Sequence, residues 1–146
     1  MTEKPYPEVT IAAKWWADQL RKNVVHNDAG DGDLNMALAW GYARLRKPFT
    51  SEQIDAFEQA LVLGIQENCD KEGWDESNPI WGGYMRAIGV DYHPDMILDA
   101  AGQSAGIDVD WQLPVKTVMW INPGSVTVRN GYGAEVKALY PVEEGE

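Results

Sequence analysis

The chain has 146 residues, 45% of them hydrophobic, which suits one domain with its own core and is too few for two comfortable ones. Charged residues make up 24%, an ordinary share for a globular protein, and this argues against wholesale disorder. A net charge of −11 disfavours direct contact with nucleic acid or anionic lipid and favours basic partners.

The acidity is uneven. Met1–Thr50 holds seven basic residues against six acidic ones, and the stretch from Pro114 onward three against four. Between Ser51 and Leu113 there are two, Lys71 and Arg86, against thirteen, so the middle of the chain carries the excess. A solvated acidic face that keeps the protein soluble explains this as well as a binding surface does. No apolar run reaches the length of a membrane span, and the first residues, MTEKPYPEV, lack the apolar core of a signal peptide. The lone cysteine, Cys69, rules out an intrachain disulfide framework and fits a reducing compartment. The expectation is a cytoplasmic protein away from membranes.

In chain order, Pro5 and Pro7 make an extended lead-in, and Thr10 is positioned to cap a helix to about Lys22 with Ala12, Trp16 and Leu20 on one side. Val24–Gly32 reads as a loop, followed by a helix capped by Asp33, with Leu34, Leu38, Tyr42 and Leu45 as its apolar stripe. The strongest local signature follows. Thr50 and Gln53 form a capping box, Phe49 and Ile54 a hydrophobic staple, and Ile54, Phe57, Leu61 and Ile65 continue the stripe to about Asn68. From Asp70 to Gly89 the rings Trp74, Trp81 and Tyr84 lie among Gly and Pro without a period, which predicts a long ordered loop with a short helical turn near Tyr84–Ile88.

Pro94, preceded by His93 as cap, predicts a helix with Ile97, Leu98, Ala101 and Ala105 inward and Gly106 as its C-cap, with Ile107 giving the apolar contact. Three strands then alternate across two turns. Val115, Thr117, Met119 and Ile121 point one way and Lys116, Val118 and Trp120 the other, then come Val126 to Asn130 and Glu135 to Tyr140. The predicted fold is α+β, about four helices packed on a C-terminal three-stranded antiparallel sheet. It forms a single domain over 1–146, with a helical part at about 8–107, a β-meander at about 115–140 and a frayed tail at 141–146.

Catalytic signatures are missing: there is no phosphate loop, no GxGxxG, no GxSxG and no HExxH, so the chain reads as a non-enzyme without a cofactor. His26, Asp28, Asp31 and Asp33 cluster in one loop, but the glycine an EF-hand needs is replaced by Asp33 or Met36, depending on the register. A capped turn explains them more simply, as a cap explains His93. Acidic neighbours, Asp70 and Glu67, argue against a reactive thiol at Cys69. Aromatic anchors in a charged surround fit a protein–protein interface, and this selects Glu72, Trp74, Asp75, Glu76, Trp81, Asp91, Asp95, Asp108, Asp110 and Trp111 as candidate partner-binding residues. Trp120, Arg129 and Tyr132 form an alternative ligand-binding set for a nucleotide signal, and His26, Asp28 and Asp31 an alternative metal-assisted hydrolase.

Two stretches, TIAAKWWADQLR and KTVMWINPGSVTVRNGYGAEVKALY, resemble small acidic proteins encoded by phages and prophages. The resemblance implies an anti-CRISPR-like inhibitor of host defence in the bacterial cytoplasm, docking its acidic, Trp-bearing surface on a basic host protein such as a nucleic-acid-handling effector. Oligomeric state is left open.

Overall fold

Four antiparallel strands and four helices make up the part of the chain, residues 4–22, 49–131 and 133–141, that the computed structural model describes. The helices are α1 (Pro7–Arg21), α2 (Ser51–Glu72), α3 (Gly83–Arg86) and α4 (Met96–Ser104). The strands are β1 (Ile88–Val90), β2 (Thr117–Asn122), β3 (Ser125–Asn130) and β4 (Val136–Tyr140), and they pair in the order β1-β2-β3-β4. The α+β class is therefore as the sequence predicts. The expected helix capped by Asp33, the loop holding His26, Asp28 and Asp31, and the tail from residue 142 lie outside the described residues.

Register follows the hydrophobic alternation. Thr117, Met119 and Ile121 of β2 are buried, together with Val126 and Val128 of β3, while Val118, Trp120 and Asn122 face the other side. α1 crosses the inner face of β2, β3 and β4, and α2 packs on α1 and α4. The core between them contains Val9, Trp16, Leu20, Phe57, Leu61, Ile65, Leu98, Met119 and Ile121, each 2% exposed or less. Removing a ring such as Trp16 from this packing costs about 3–5 kcal/mol. Arg21 ties the two long helices at their surface, donating to Asp55 and Glu58 of α2 at 2.9 and 2.6 Å and to Asp18 at 2.6 Å.

Sequence reading and structure differ at four places. The sheet gains a fourth strand because Ile88–Val90, too short and too glycine-rich to show alternation, pairs with Thr117–Met119. α1 starts at Pro7 and not after Thr10, since proline suits the first turn, where an N–H has no partner anyway. Glu8 then turns inward and accepts the Gly124 N–H at 2.7 Å, fastening the β2–β3 turn to the helix. α2 has the predicted capping box but continues to Glu72, four residues past Asn68. The cap of α4 is Asp95, not His93: its carboxylate accepts the Ile97 and Leu98 N–H groups at 3.0 Å each. That helix ends as predicted, with Gly106 at φ +77° and the Ile107 N–H reaching the Gly102 carbonyl.

Candidate functional site: an arginine-clamped aromatic loop

The segment between α2 and β1 has little regular structure, yet it is held by one side chain. Arg86, at the end of α3, is 1% exposed and pairs with no carboxylate among the described residues. Its guanidinium has five N–H donors, and all five are used. Nε donates to the Ile121 carbonyl at 3.0 Å. Nη1 donates to the carbonyls of Gly73 and Trp81 at 2.9 and 3.0 Å, and Nη2 to the Pro79 carbonyl and Asn122 Oδ1 at 2.9 and 2.8 Å. Three of these acceptors lie on the loop and two on β2. The cation thus gathers carbonyls from both segments and pins the loop to the sheet edge.

The underside of the loop is aromatic. Trp74 lies 5.6 Å from the Arg86 guanidinium carbon and stacks on Tyr6 with centroids 4.4 Å apart and planes at 10°. Tyr6 also approaches Asp70, and its burial, with that carboxylate nearby, pushes its hydroxyl pKa up. Asn68 Nδ2 holds the Met85 carbonyl at 3.1 Å, and Gly83 sits so close to Asn122 that a Cβ would meet its Oδ1 at 2.9 Å. With the underside fixed, four large apolar side chains stand exposed on the outside: Ile80 is 78% exposed, Trp81 64%, Tyr84 81% and Met85 46%. Four large apolar side chains within six positions make a patch, which is unlike the scattered single residues normal on protein surfaces.

The predicted partner-binding residues do not form one surface. Glu72, the last residue of α2, and Trp74, Asp75, Glu76 and Trp81 of this loop lie at the Asn122 end of β2. Asp75 is engaged in a turn with Ser77, whose hydroxyl and N–H hold its carboxyl below the usual range. Asp91, Asp108, Asp110 and Trp111 gather at the opposite, Thr117 end, about 17 Å along the strand. There Asp91 pairs with Lys116 at 2.6 Å, raising the lysine pKa, and Asp108 accepts the Asp110 N–H. Asp110 accepts from His93 Nδ1 at 2.6 Å, and Trp111, in the left-handed region at φ 66°, meets the His93 ring edge-on. Asp95 belongs to neither group. It is mostly enclosed, burial pushes its carboxyl up, and its two oxygens serve the α4 cap and the Gly89 N–H.

Of the alternative set, Trp120 and Arg129 share the outer face of the sheet, and Tyr132 lies outside the described residues. Among the described residues no three His, Cys, Asp or Glu side chains stand close enough to hold a metal, and no helix is long and apolar enough to cross a membrane. Cys69 is fully buried, and desolvation pushes its thiol up to about 12, which matches the expectation of an inert thiol. Sequence reasoning missed Arg86, Ile80, Tyr84 and Met85. The available signal was a solitary arginine in an aromatic, Gly- and Pro-rich loop within an acidic stretch.

Comparison with known proteins identifies this framework. Residues 35–140 match the model of the BTG family. A "BTG family protein" from Dictyostelium discoideum is 32% identical over 137 residues, covering 92% of this chain, and "Protein BTG1" of Homo sapiens is 28% identical over 114 residues, covering 75%. The chain spans 27% of the Dictyostelium protein's length and 66% of the human one's. The C. elegans FOG-3 BTG/Tob domain superposes with a TM-score of 0.58 at 16% identity over 90% of this chain and 79% of its own, a likeness of fold. These matches overturn the phage resemblance, which rested on hydrophobic and turn pattern alone, and with it the anti-CRISPR-like inhibitor. The nucleotide sponge at Trp120, Arg129 and Tyr132 and the hydrolase at His26, Asp28 and Asp31 fall for the same reason. The family consists of non-enzymatic regulatory adaptors, in keeping with the absence of catalytic signatures. The chain belongs to the BTG family.

Proposed function

We propose that this chain is the partner-docking module of a protein-binding regulator, and that the partner seats on Ile80, Trp81, Tyr84 and Met85. The observation that carries this is the complete satisfaction of Arg86, which fixes an apolar, aromatic surface in place before any partner arrives. A surface ordered in advance loses little entropy on binding, and Trp and Tyr are the side chains that most often dominate interface energies. Glu72, Asp75 and Glu76 border the patch, so the complementary partner has an apolar groove with a basic rim. Rim charges of this kind act chiefly on the association rate.

The test compares the chain with its Trp81→Ala/Tyr84→Ala double variant as baits in eukaryotic cell extract, followed by calorimetry on each partner purified. Both side chains are exposed, so thermal stability should change by little, while affinity for the docked partner falls at least a hundredfold. Partners captured equally by both baits would refute this placement of the surface.

A further inference from the structure

Beyond the aromatic loop, the outer face of the sheet continues from Asn122 past Trp120 to a depression lined by Gly89, Val118, Arg129, Lys116 and Asp91, with a volume of about 380 Å³. Gly89 forms its open side. It pairs with Val118, and a Cβ there would come 2.5 Å from the Thr117 carbonyl oxygen, so no side chain fits on that part of the lining, which Gly89 shares with Arg129, the other partner of Val118. Arg129 is half-buried, its Nε is enclosed without a hydrogen-bond partner, and it joins no ion pair among the described residues. Arg86 shows by contrast what a satisfied guanidinium looks like in this fold.

Lys116 stands beside it, held in the left-handed region at φ 57° by two backbone hydrogen bonds, to Asp91 and from Gly131. Its ammonium lies 4.2 Å from the centre of the Tyr92 ring and 2.6 Å from the Asp91 carboxylate. Two cations against one carboxylate leave one unit of positive charge, in a chain of net charge −11. The Arg129 guanidinium lines the depression with no carboxylate partner among the described residues, and a carboxylate is the group whose geometry matches the guanidinium fork.

We infer that this depression receives the carboxylate of an acidic side chain from the docked partner, bound by Arg129 beside Trp120. The source of the carboxylate rests on the reading of the chain as a docking module; the pocket itself does not depend on the aromatic loop. A polyphosphate is a poor match, because Asp91 already neutralises one of the two cations.

The test is a titration of the full ¹⁵N-labelled chain with blocked glutamate (acetyl-Glu-methylamide), and separately with blocked glutamine and with inorganic phosphate, at constant ionic strength. Glutamate is expected to shift the Arg129 Nε–H and the Gly89 and Val118 amides saturably, with a midpoint on the order of millimolar, the range for one charged contact. Arg129→Gln should abolish the shifts and Arg129→Lys weaken them severalfold, since an ammonium cannot form the paired bonds. Asp91→Asn should tighten binding severalfold by releasing Lys116. The Trp81→Ala/Tyr84→Ala variant should bind the probe normally, so failure of the docking surface and failure of this pocket are separable. Equal shifts with glutamine, tenfold tighter binding of phosphate, or a response that survives in Arg129→Gln would each overturn the inference.

Discussion

Replacing Arg86 by methionine keeps an unbranched apolar stem and removes the guanidinium with all five donors. Hydrogen bonds to a charged group contribute about 1.5–3 kcal/mol each, and five would amount to about as much as a whole domain's stability. The sum is not realised, because the variant is also spared the desolvation of a buried guanidinium. Breaking a buried charged network by deleting one partner costs about 3–5 kcal/mol. Two of the orphaned acceptors, the carbonyls of Pro79 and Trp81, belong to exposed residues that water can reach. The carbonyls of Gly73 and Ile121 are less accessible. The lower end, about 3 kcal/mol, is therefore expected. With a urea m-value near 2 kcal/mol/M, the unfolding midpoint falls by about 1.5 M. Arg86→Lys keeps the charge but has three donors for five acceptors and should lose nearly as much. Urea titration followed by tryptophan fluorescence measures both. A midpoint for Arg86→Met within about 0.3 M of the parent would mean that the loop holds itself, and the account of the site would fail.

Two further outcomes follow from the same structure. Cys69 has its thiol pushed up to about 12 from a reference value of 9.0, so its neutral form stabilises the fold fully below pH 9. As pH rises from 9 towards 12 the unfolded chain sheds the proton first, and this contribution is lost at about 1.4 kcal/mol per pH unit. Cys69→Ala should be the less pH-sensitive protein over that window, and the native thiol should resist iodoacetamide at pH 8; rapid alkylation without unfolding would contradict its burial. Asp95→Ala should cost about 2 kcal/mol, since it removes the α4 cap and the acceptor of the Gly89 N–H together. Asp95→Asn retains the cap but sets a donor against Gly89, so thermal melts should place it between the parent and the alanine variant.

Local chemistry made the long elements readable. The Thr50–Gln53 box, the glycine at Gly106 and the alternation of Thr117, Met119 and Ile121 are each decided by neighbours within a few residues. What was not readable depends on contacts far along the chain. β1 is three residues long and is a strand only because β2, thirty residues later, offers it a free edge. The inward turn of Glu8 is decided by Gly124, and the role of Arg86 by Ile121 and Asn122. The acidic middle segment was misleading for the same reason. Of its thirteen carboxylates, the seven singled out as partner-binding are divided between the two ends of β2 and the α4 cap, and Asp55 and Glu58 are paired with Arg21 on α1, so their number carried no information about a single face.

This division also separates stability from function in a way that charge alone does not. The exposed side chains at Ile80, Trp81, Tyr84 and Met85 are held by a residue that no partner can touch, since Arg86 is 1% exposed. A partner that seats on a fixed surface has no loop to order, whereas one that must order the loop pays that entropy out of its affinity. Arg86→Lys, studied at a temperature where it remains folded, leaves every contact side chain in place and removes only the fixing. Its partner affinity should nevertheless fall, mostly through faster dissociation, because the same groups are then presented from a loop that opens. If affinity is unchanged while the loop amides lose their protection from hydrogen exchange, pre-organisation is irrelevant to docking, and the aromatic patch binds by its composition alone.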